Sequence, residues 1–594
     1  MKNVRYVIAA IRQWSAAAIA LFLLLSAAPF ARSQAGISWR CATPLVTLYQ
    51  QGLGGQSPEE QLLAQSLVQT PRSAGYLQSN RYPLRIHYAD EAFLDMAEQV
   101  LGIVEESWEI QVEEMGFAAP PPDCGRDGSD DLDVYIEDLP AGIGGYAAFA
   151  CYIDETPHTD AASFIALAST LNERNIRGAV THEFNHVCQH AEDYWETIVF
   201  KENTATWIED HIYPDEDYYF NYIRAYQRHP DWAINAFSST SPYQYGGCIW
   251  LHFLEEYYEG QATDLVTSIW RRCRQNELFN EPDYLDVLAE LLPELTDGMD
   301  NLAASFQEFL VWRYACGERD DGVHFGEGGA WRASGNVSID TTVDLAALPF
   351  IGQPSKPPAD YGVSYFELSG PVPEHGLAIE FEGDPSVTWA ASLFLARDEP
   401  REYRVRQFDI DEGYGLLLLG PGIANSADRL VVAAVNLSSA AFDPDTVTGL
   451  PVDFTLAISA APRPNQSGRS ALWLCPTRPV AGSGDALGMN ILIEHQGAPV
   501  TADLYIAVEA AGLFYFLSAE PAFPSFSAEP APFPLPLTPD LFIDGQLIEL
   551  PLPELTSGLA LRWHAALNGP QGLLDYTSSR GNVVPQRRHF EEEL

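Results

Sequence analysis

The residues best placed to do chemistry together are His182, Glu183 and His186, in the run His182-Glu183-Phe184-Asn185-His186. The pattern is H-E-x-x-H. On a helix, residues four apart share a face, so both histidines can aim a ring nitrogen at one metal ion. Glu183 stands beside that face, within reach of a water on the metal without binding the metal itself. Such an arrangement supplies two ligands and the general base of a catalytic zinc site. A five-residue pattern also arises by chance on surface helices of long chains, so its neighbours have to be weighed with it.

A catalytic zinc takes three protein ligands and keeps one position for water. The third ligand is expected from Lys201-Glu-Asn-Thr-Ala-Thr-Trp-Ile-Glu-Asp210, a helix-like segment that carries acids. Between His186 and Glu202 lie 15 residues, enough to end one helix, turn and start another facing it. Glu209 stands two helical turns beyond Glu202 on the same face, so only one of the two can reach the metal's height. Glu202 begins the segment, nearer the turn, and is the expected ligand. Glu209 is then an acid behind the metal or at the surface. Further on, Tyr243-Gln-Tyr-Gly-Gly247 opens another amphipathic helix with a phenol that could stabilise a developing oxyanion. His190 lies off the metal stripe, and His87 and His252 read as ordinary packed or surface histidines.

H-E-x-x-H followed by E-x-x-A-T-W resembles the gluzincin zinc metallopeptidases, the clan of thermolysin and the zinc aminopeptidases. The likeness is greatest to secreted bacterial metalloproteases with an H-E-F-x-H-x-x-Q … E-x-T-A-T-W pattern, and it covers roughly residues 41–320. The resemblance implies His182, His186 and Glu202 as zinc ligands, Glu183 as the base and Tyr245 as a transition-state tyrosine, with Tyr243 its rival. It also implies an α+β zincin-like domain. A metzincin pattern is excluded, because Gln189 and Glu192 stand where it needs glycine and a third histidine.

The rest of the 594-residue chain must position these groups. Its length implies two to four domains, and 46% hydrophobic residues are enough to fill their cores. The formal charge of −49 comes from 82 acids against 33 bases, which repels nucleic acid and anionic membranes. Residues 1–35 read as a signal peptide: Lys2, Arg5 and Arg12 precede an apolar stretch from Ala16 to Ala28, with small residues before Gly36. No later stretch is long and apolar enough to span a bilayer. The expected locale is therefore secreted, extracellular or periplasmic.

Eight cysteines in an exported chain suggest disulfides, with 105 pairings open. Cys41 is expected in a structural bridge, the alternative being a propeptide thiol that blocks zinc. Asp123, Asp127, Asp130, Asp131 and Asp133 surround two glycines. They form either a calcium loop or an acidic turn that solvates itself.

Periodicity places helices over much of 36–80 and over 90–115, and strands at 82–88, 131–137, 146–152 and 162–168. Four helices are expected near 245–258, 261–276, 282–295 and 300–316. A glycine-rich charged stretch from Gly317 to Gly335 closes this part. Beyond it, strand-like runs separated by Pro/Gly turns predict a β-sandwich over 336–462 and a second β-sandwich accessory module over 470–594. The Pro-rich stretch from Pro521 to Pro539 reads as a loop.

The expected fold class is thus multidomain: an α+β zincin-like catalytic domain (36–335) followed by two all-β sandwich-like domains. The expected function is an exported zinc-dependent endopeptidase acting on protein or peptide substrates. The alternatives are an inactive zincin-fold binding or adhesion protein, or an aminopeptidase.

Overall fold

The computed structural model describes residues 40–584, apart from 53–56, 70, 72, 155, 260–263, 275–281, 439–441, 445–448, 465–467, 483–484, 519–523 and 552–557. The expected signal peptide, residues 1–35, lies outside the described residues. The protein is multidomain, with a helix-rich part and several β-sheets.

A six-stranded mixed sheet carries the first part. Its strands are β1 (Arg40–Cys41), β2 (Gly75–Gln78), β3 (Leu84–Tyr88), β4 (Leu132–Glu137), β5 (Ile143–Tyr152) and β6 (Ala161–Ala168), in the spatial order β1-β5-β6-β4-β3-β2. β6 reads Ala-Ala-Ser-Phe-Ile-Ala-Leu-Ala and is buried along its whole length. Its small residues let a helix lie close on the sheet.

The N-terminal stretch holds two helices, α1 (Thr43–Gln50) and α2 (Pro58–Leu67), and the expected helical region gives way to strand at β2. Ser57 and Glu60 close a capping box on α2. Then come α3 (Leu94–Trp108), α4 (Glu173–Glu192), α5 (Ile198–Ile212), α6 (Phe220–Gln227), α7 (Tyr243–Gly246), α8 (Ile249–Tyr257), α9 (Leu265–Arg272), α10 (Tyr284–Leu295) and α11 (Leu302–Tyr314). The helix expected over 245–258 is broken between α7 and α8. At that break Gly247 lies against Asn203, whose Nδ2 would be 2.6 Å from any added Cβ.

After residue 335 helices give way to paired sheets. One has five strands: Ile410–Asp411, Tyr414–Leu419, Leu377–Gly383, Phe454–Ala460 and Phe350–Gly352. The other five are Arg401–Gln407, Trp389–Asp398, Arg429–Asn436, Val363–Ser369 and Thr341–Asp344. Phe366, Phe381, Leu393, Val432 and Leu456 fill the space between them. Residues 469–584 form a three-stranded and a seven-stranded sheet over a third core that includes Leu474, Ile491, Ile506 and Trp563.

The stretch read as a Pro-rich loop contains a strand, Phe533–Leu537, paired with Val500–Ala510. Its prolines, Pro534 and Pro536, alternate. That periodicity leaves the N–H groups of every second residue to the ladder, as an edge strand permits.

The parts are packed together. Tyr365, Phe394 and Val431 of the first paired sheets share a core with the helices, and the Tyr365 hydroxyl donates to the Leu310 carbonyl of α11 at 3.0 Å. From the C-terminal sheets, Arg580 pairs with Asp300 at 2.7 Å and Asn582 Nδ2 donates to the Tyr257 carbonyl at 2.8 Å. Among the described residues no helix is long and apolar enough to cross a membrane.

Candidate metal centre

α4 begins where Asn172 caps it, its side chain accepting from the Asn175 N–H at 2.9 Å. From Gly178 to Glu192 every residue of the helix is buried between the sheet and the other helices. α4 therefore carries His182, Glu183 and His186 inside the protein. α5 crosses it and brings Glu202 opposite.

The geometry joins the expected groups. Glu202 Oε1 lies 3.1 Å from His186 Nε2, and Glu202 Oε2 lies 3.5 Å from His182 Nε2. Each histidine is oriented through its other nitrogen. His182 Nδ1 meets Glu209 Oε1 at 2.7 Å, and His186 Nδ1 meets Gln189 Oε1 at 2.8 Å. Gln189 is itself fixed by donating to the Lys201 carbonyl at 2.9 Å. Glu209 thus stands behind His182 rather than in the cluster, and His87, His190 and His252 lie outside it. His190 is buried and turned to Ser163 Oγ at 2.7 Å.

Glu183 sits against β5, where glycine is required: a Cβ on Gly145 would stand 2.9 Å from Glu183 Cγ and 3.1 Å from its Oε1. Glu183 Oε2 accepts from Thr43 Oγ1 at 2.9 Å, while Oε1 is buried with no hydrogen-bond partner. Of the two tyrosines, Tyr245 faces the cluster, its ring centroid 6.1 Å from that of His182. Tyr243 points into an aromatic core with Tyr226 and Trp232.

Three carboxylates and two imidazoles are gathered in a space closed to solvent, with Glu183, His186 and Glu202 each 0% exposed. Burial pushes the Glu183 and Glu209 carboxyls up. At His182 burial opposes the charge, but the neighbouring carboxylates of Glu202 and Glu209 override it and raise the imidazolium to about 10. At Glu202 burial is again opposed, here by the field of His186 and contacts to both histidines, and its carboxyl falls to about 2.

The donors fit zinc. Both Glu202 oxygens are buried without a hydrogen-bond partner although they face imidazole nitrogens. A tetrahedral ion with bonds of ~2.0–2.3 Å holds its donors about 3.3–3.6 Å apart, close to the separations found.

Cys41 was expected in a bridge and is instead free and buried, its Sγ 3.4 Å from His186 Nε2. The one disulfide joins Cys124 and Cys151, and six cysteines are free. Sequence reasoning also missed Thr43, which holds Glu183, and Gln189, which orients His186. For Gln189 the signal was its place one turn after His186.

The aspartates expected to cage calcium do not gather as a group. Asp131 pairs with Arg85 at 3.1 Å, Asp123 accepts from the Arg126 N–H at 3.0 Å and Asp130 is exposed. Asp127 and Asp133 meet at His87.

No protein-family model matches the chain, and no curated protein matches it. Parts of it are similar to solved structures. The Spo0M sporulation control protein of Bacillus subtilis matches at 10% identity and TM-score 0.15, covering 20% of this chain and 51% of that one. A calcium-binding mutant of Bacteroides uniformis beta-glucuronidase 2 matches at 12% and 0.16, over 37% and 26%. A Niemann-Pick type C2 protein from the Japanese carpenter ant matches at 11% and 0.12, over 20% and 92%. The chain thus spans about half of the sporulation protein and about a quarter of the glucuronidase. Likenesses this low define neither the fold nor the site.

Proposed function

We propose that this chain is an exported zinc-dependent endopeptidase of gluzincin type, built on a zincin-like α+β domain and acting on protein or peptide substrates. The observation that carries the reading is the convergence of His182, His186 and Glu202 on one buried point, with Glu183 beside it and Tyr245 facing it. When bound, zinc supplies a Lewis acid that acidifies water and polarises a carbonyl.

The chain's own residues do the rest. His182 and His186 would hold the ion through Nε2, their orientation set by Glu209 and Gln189. Glu183 takes a proton on Oε1, the oxygen that no neighbour engages, and later returns it to the leaving amine. Tyr245 donates a hydrogen bond from its hydroxyl to a developing oxyanion. An aminopeptidase would need in addition an anchor for a free amino terminus, and no residue around the cluster has been assigned to that.

The test is metal analysis of the purified protein together with cleavage of an unstructured protein, with and without a chelator. Bound zinc is expected, and chelator-sensitive cleavage once the site is opened. A second reading, a zincin-fold binding protein without activity, is favoured by the complete burial of the cluster. Cleavage after the site is opened separates the two.

A further inference from the structure

Cys41 completes the donor set. The ligating atoms of Cys41, His182, His186 and Glu202 all lie within 4.8 Å of one another. The two buried oxygens of Glu202, which make no hydrogen bond and face the two imidazole nitrogens, point independently to a ligand at the same place. A catalytic zinc keeps one position open, whereas three such donors and a thiolate close it.

The rest of the segment agrees with a closed state. β1 runs parallel to β5 along its outer edge. The Ala42 N–H donates to the Gly145 carbonyl at 2.9 Å, the Ala147 N–H donates to Thr43 Oγ1 at 2.8 Å, and the Gln50 side-chain amide pairs with both the N–H and carbonyl of Phe149 at 3.1 Å. Three alternate positions of one strand edge are thus engaged by residues 42–50. An extended peptide adds to a sheet through just such groups. Thr43 also donates to the base Glu183, and the Tyr245 hydroxyl donates to the Cys41 carbonyl at 3.4 Å. One short segment engages the fourth ligand position, the base, the tyrosine and the free strand edge.

We propose that Cys41 is the fourth ligand of this metal and that residues 40–50 form an internal latch holding the hydrolase closed until they are withdrawn. The proposal rests on the metal reading above. The Cys41 S–H bond breaks as the sulfur–metal bond forms, and the proton passes to solvent. Withdrawal breaks the sulfur–metal bond, and the sulfur regains a proton. No electron is transferred.

The experiment loads the metal-free full chain with cobalt(II) and reads its absorption spectrum. One equivalent is expected, with a thiolate-to-cobalt charge-transfer band in the near ultraviolet. In Cys41→Ser or Cys41→Ala that band is lost while the visible cobalt bands remain. In mild urea, mass spectrometry should find Cys41 alkylated by iodoacetamide more slowly with zinc bound than after its removal. Cys41→Ser should also cleave an unstructured peptide at least about tenfold faster than the unaltered chain, because a fourth protein ligand blocks the position that catalysis needs. A folded chain that takes up no cobalt overturns the metal reading itself. Uptake without the sulfur band, or equal rates for Cys41→Ser and the unaltered chain, overturns the latch and leaves the metal reading standing. If both variants fail to fold, the spectrum and the thiol protection of the unaltered chain decide.

Discussion

Among the described residues two histidine–acid groups could hold a metal ion, and they are built to opposite effect. In one, His182, His186 and Glu202 meet with Cys41; in the other, His87 meets Asp127 and Asp133. Both gather residue types that bind metals. In the second each of the three side chains has a partner, although Asp123 beside Asp133 keeps one buried oxygen without a hydrogen bond. His87 Nε2 meets Asp133 Oδ1 at 2.8 Å and its Nδ1 meets Ser73 Oγ at 3.0 Å, while the Tyr135 hydroxyl bridges Asp127 at 2.5 Å and Asp133 at 3.1 Å. The first leaves both oxygens of Glu202 and one of Glu183 buried without hydrogen bonds. Buried polar atoms without partners cost about 1–3 kcal/mol each, more if charged, so a fold that keeps three at one point keeps them for something else. Ligand types alone mark neither cluster; unsatisfied donors aimed at one point mark the first.

The sharpest way to break this contrast is through the base. Glu183→Gln, measured on the opened enzyme, is expected to keep its zinc and lose about three powers of ten in peptide hydrolysis. Near-normal turnover would remove Glu183 from the chemistry.

Next in size is the pair of α5 acids. Zinc affinity should fall far more for Glu202→Gln than the about 10–100-fold expected when a partner of a ligating histidine is lost, as in Glu209→Gln. A competitive titration that reversed the order would exchange their roles.

The second cluster should respond in stability alone. Asp133→Asn strips a fully buried partner from His87 and should cost about 3 kcal/mol in urea unfolding while metal content stays the same. A loss of bound metal in that variant would make the two clusters alike.

The smallest effect is on pH. In the metal-free protein His182 titrates near 10, above its ordinary 6.5, so the stability it contributes is full below about 6.5 and lost as pH rises towards 10. Glu202 is lowered from 4.5 to about 2, so its contribution is full above 4.5 and fades as pH falls towards 2. Urea midpoints of chelated protein should therefore be lower near pH 9 than near pH 6. Zinc should bind more tightly across the same rise, since it displaces the His182 proton. A flat profile would show that His182 carries no such charge.

Much of the cluster was legible because helical spacing is local. The spacing of four from His182 to His186, and the position of Glu202 in its own helix, need no knowledge of the tertiary fold. The strands β3 to β6 and the helices after residue 280 were readable for the same reason, their periodicity being unbroken. What escaped depends on contacts distant in sequence. Cys41 and Thr43 reach Glu183 across more than 100 residues, and nothing near them in the chain signals it. At the break between α7 and α8, Gly247 lies against Asn203, a contact that no local pattern announces. Pro534 and Pro536 disguised an edge strand because proline is a turn signal until its alternation is matched to a partner strand.

The central claim, that His182, His186 and Glu202 hold one metal, is tested most directly by counting it. The purified full chain, analysed for metal before and after chelation and again as His182→Ala, should hold one zinc per molecule, release it to the chelator, take it up again, and retain none at this site in the variant. A folded, metal-free chain that takes up no zinc, or a His182→Ala variant that binds it as tightly as the unaltered protein, would contradict the account.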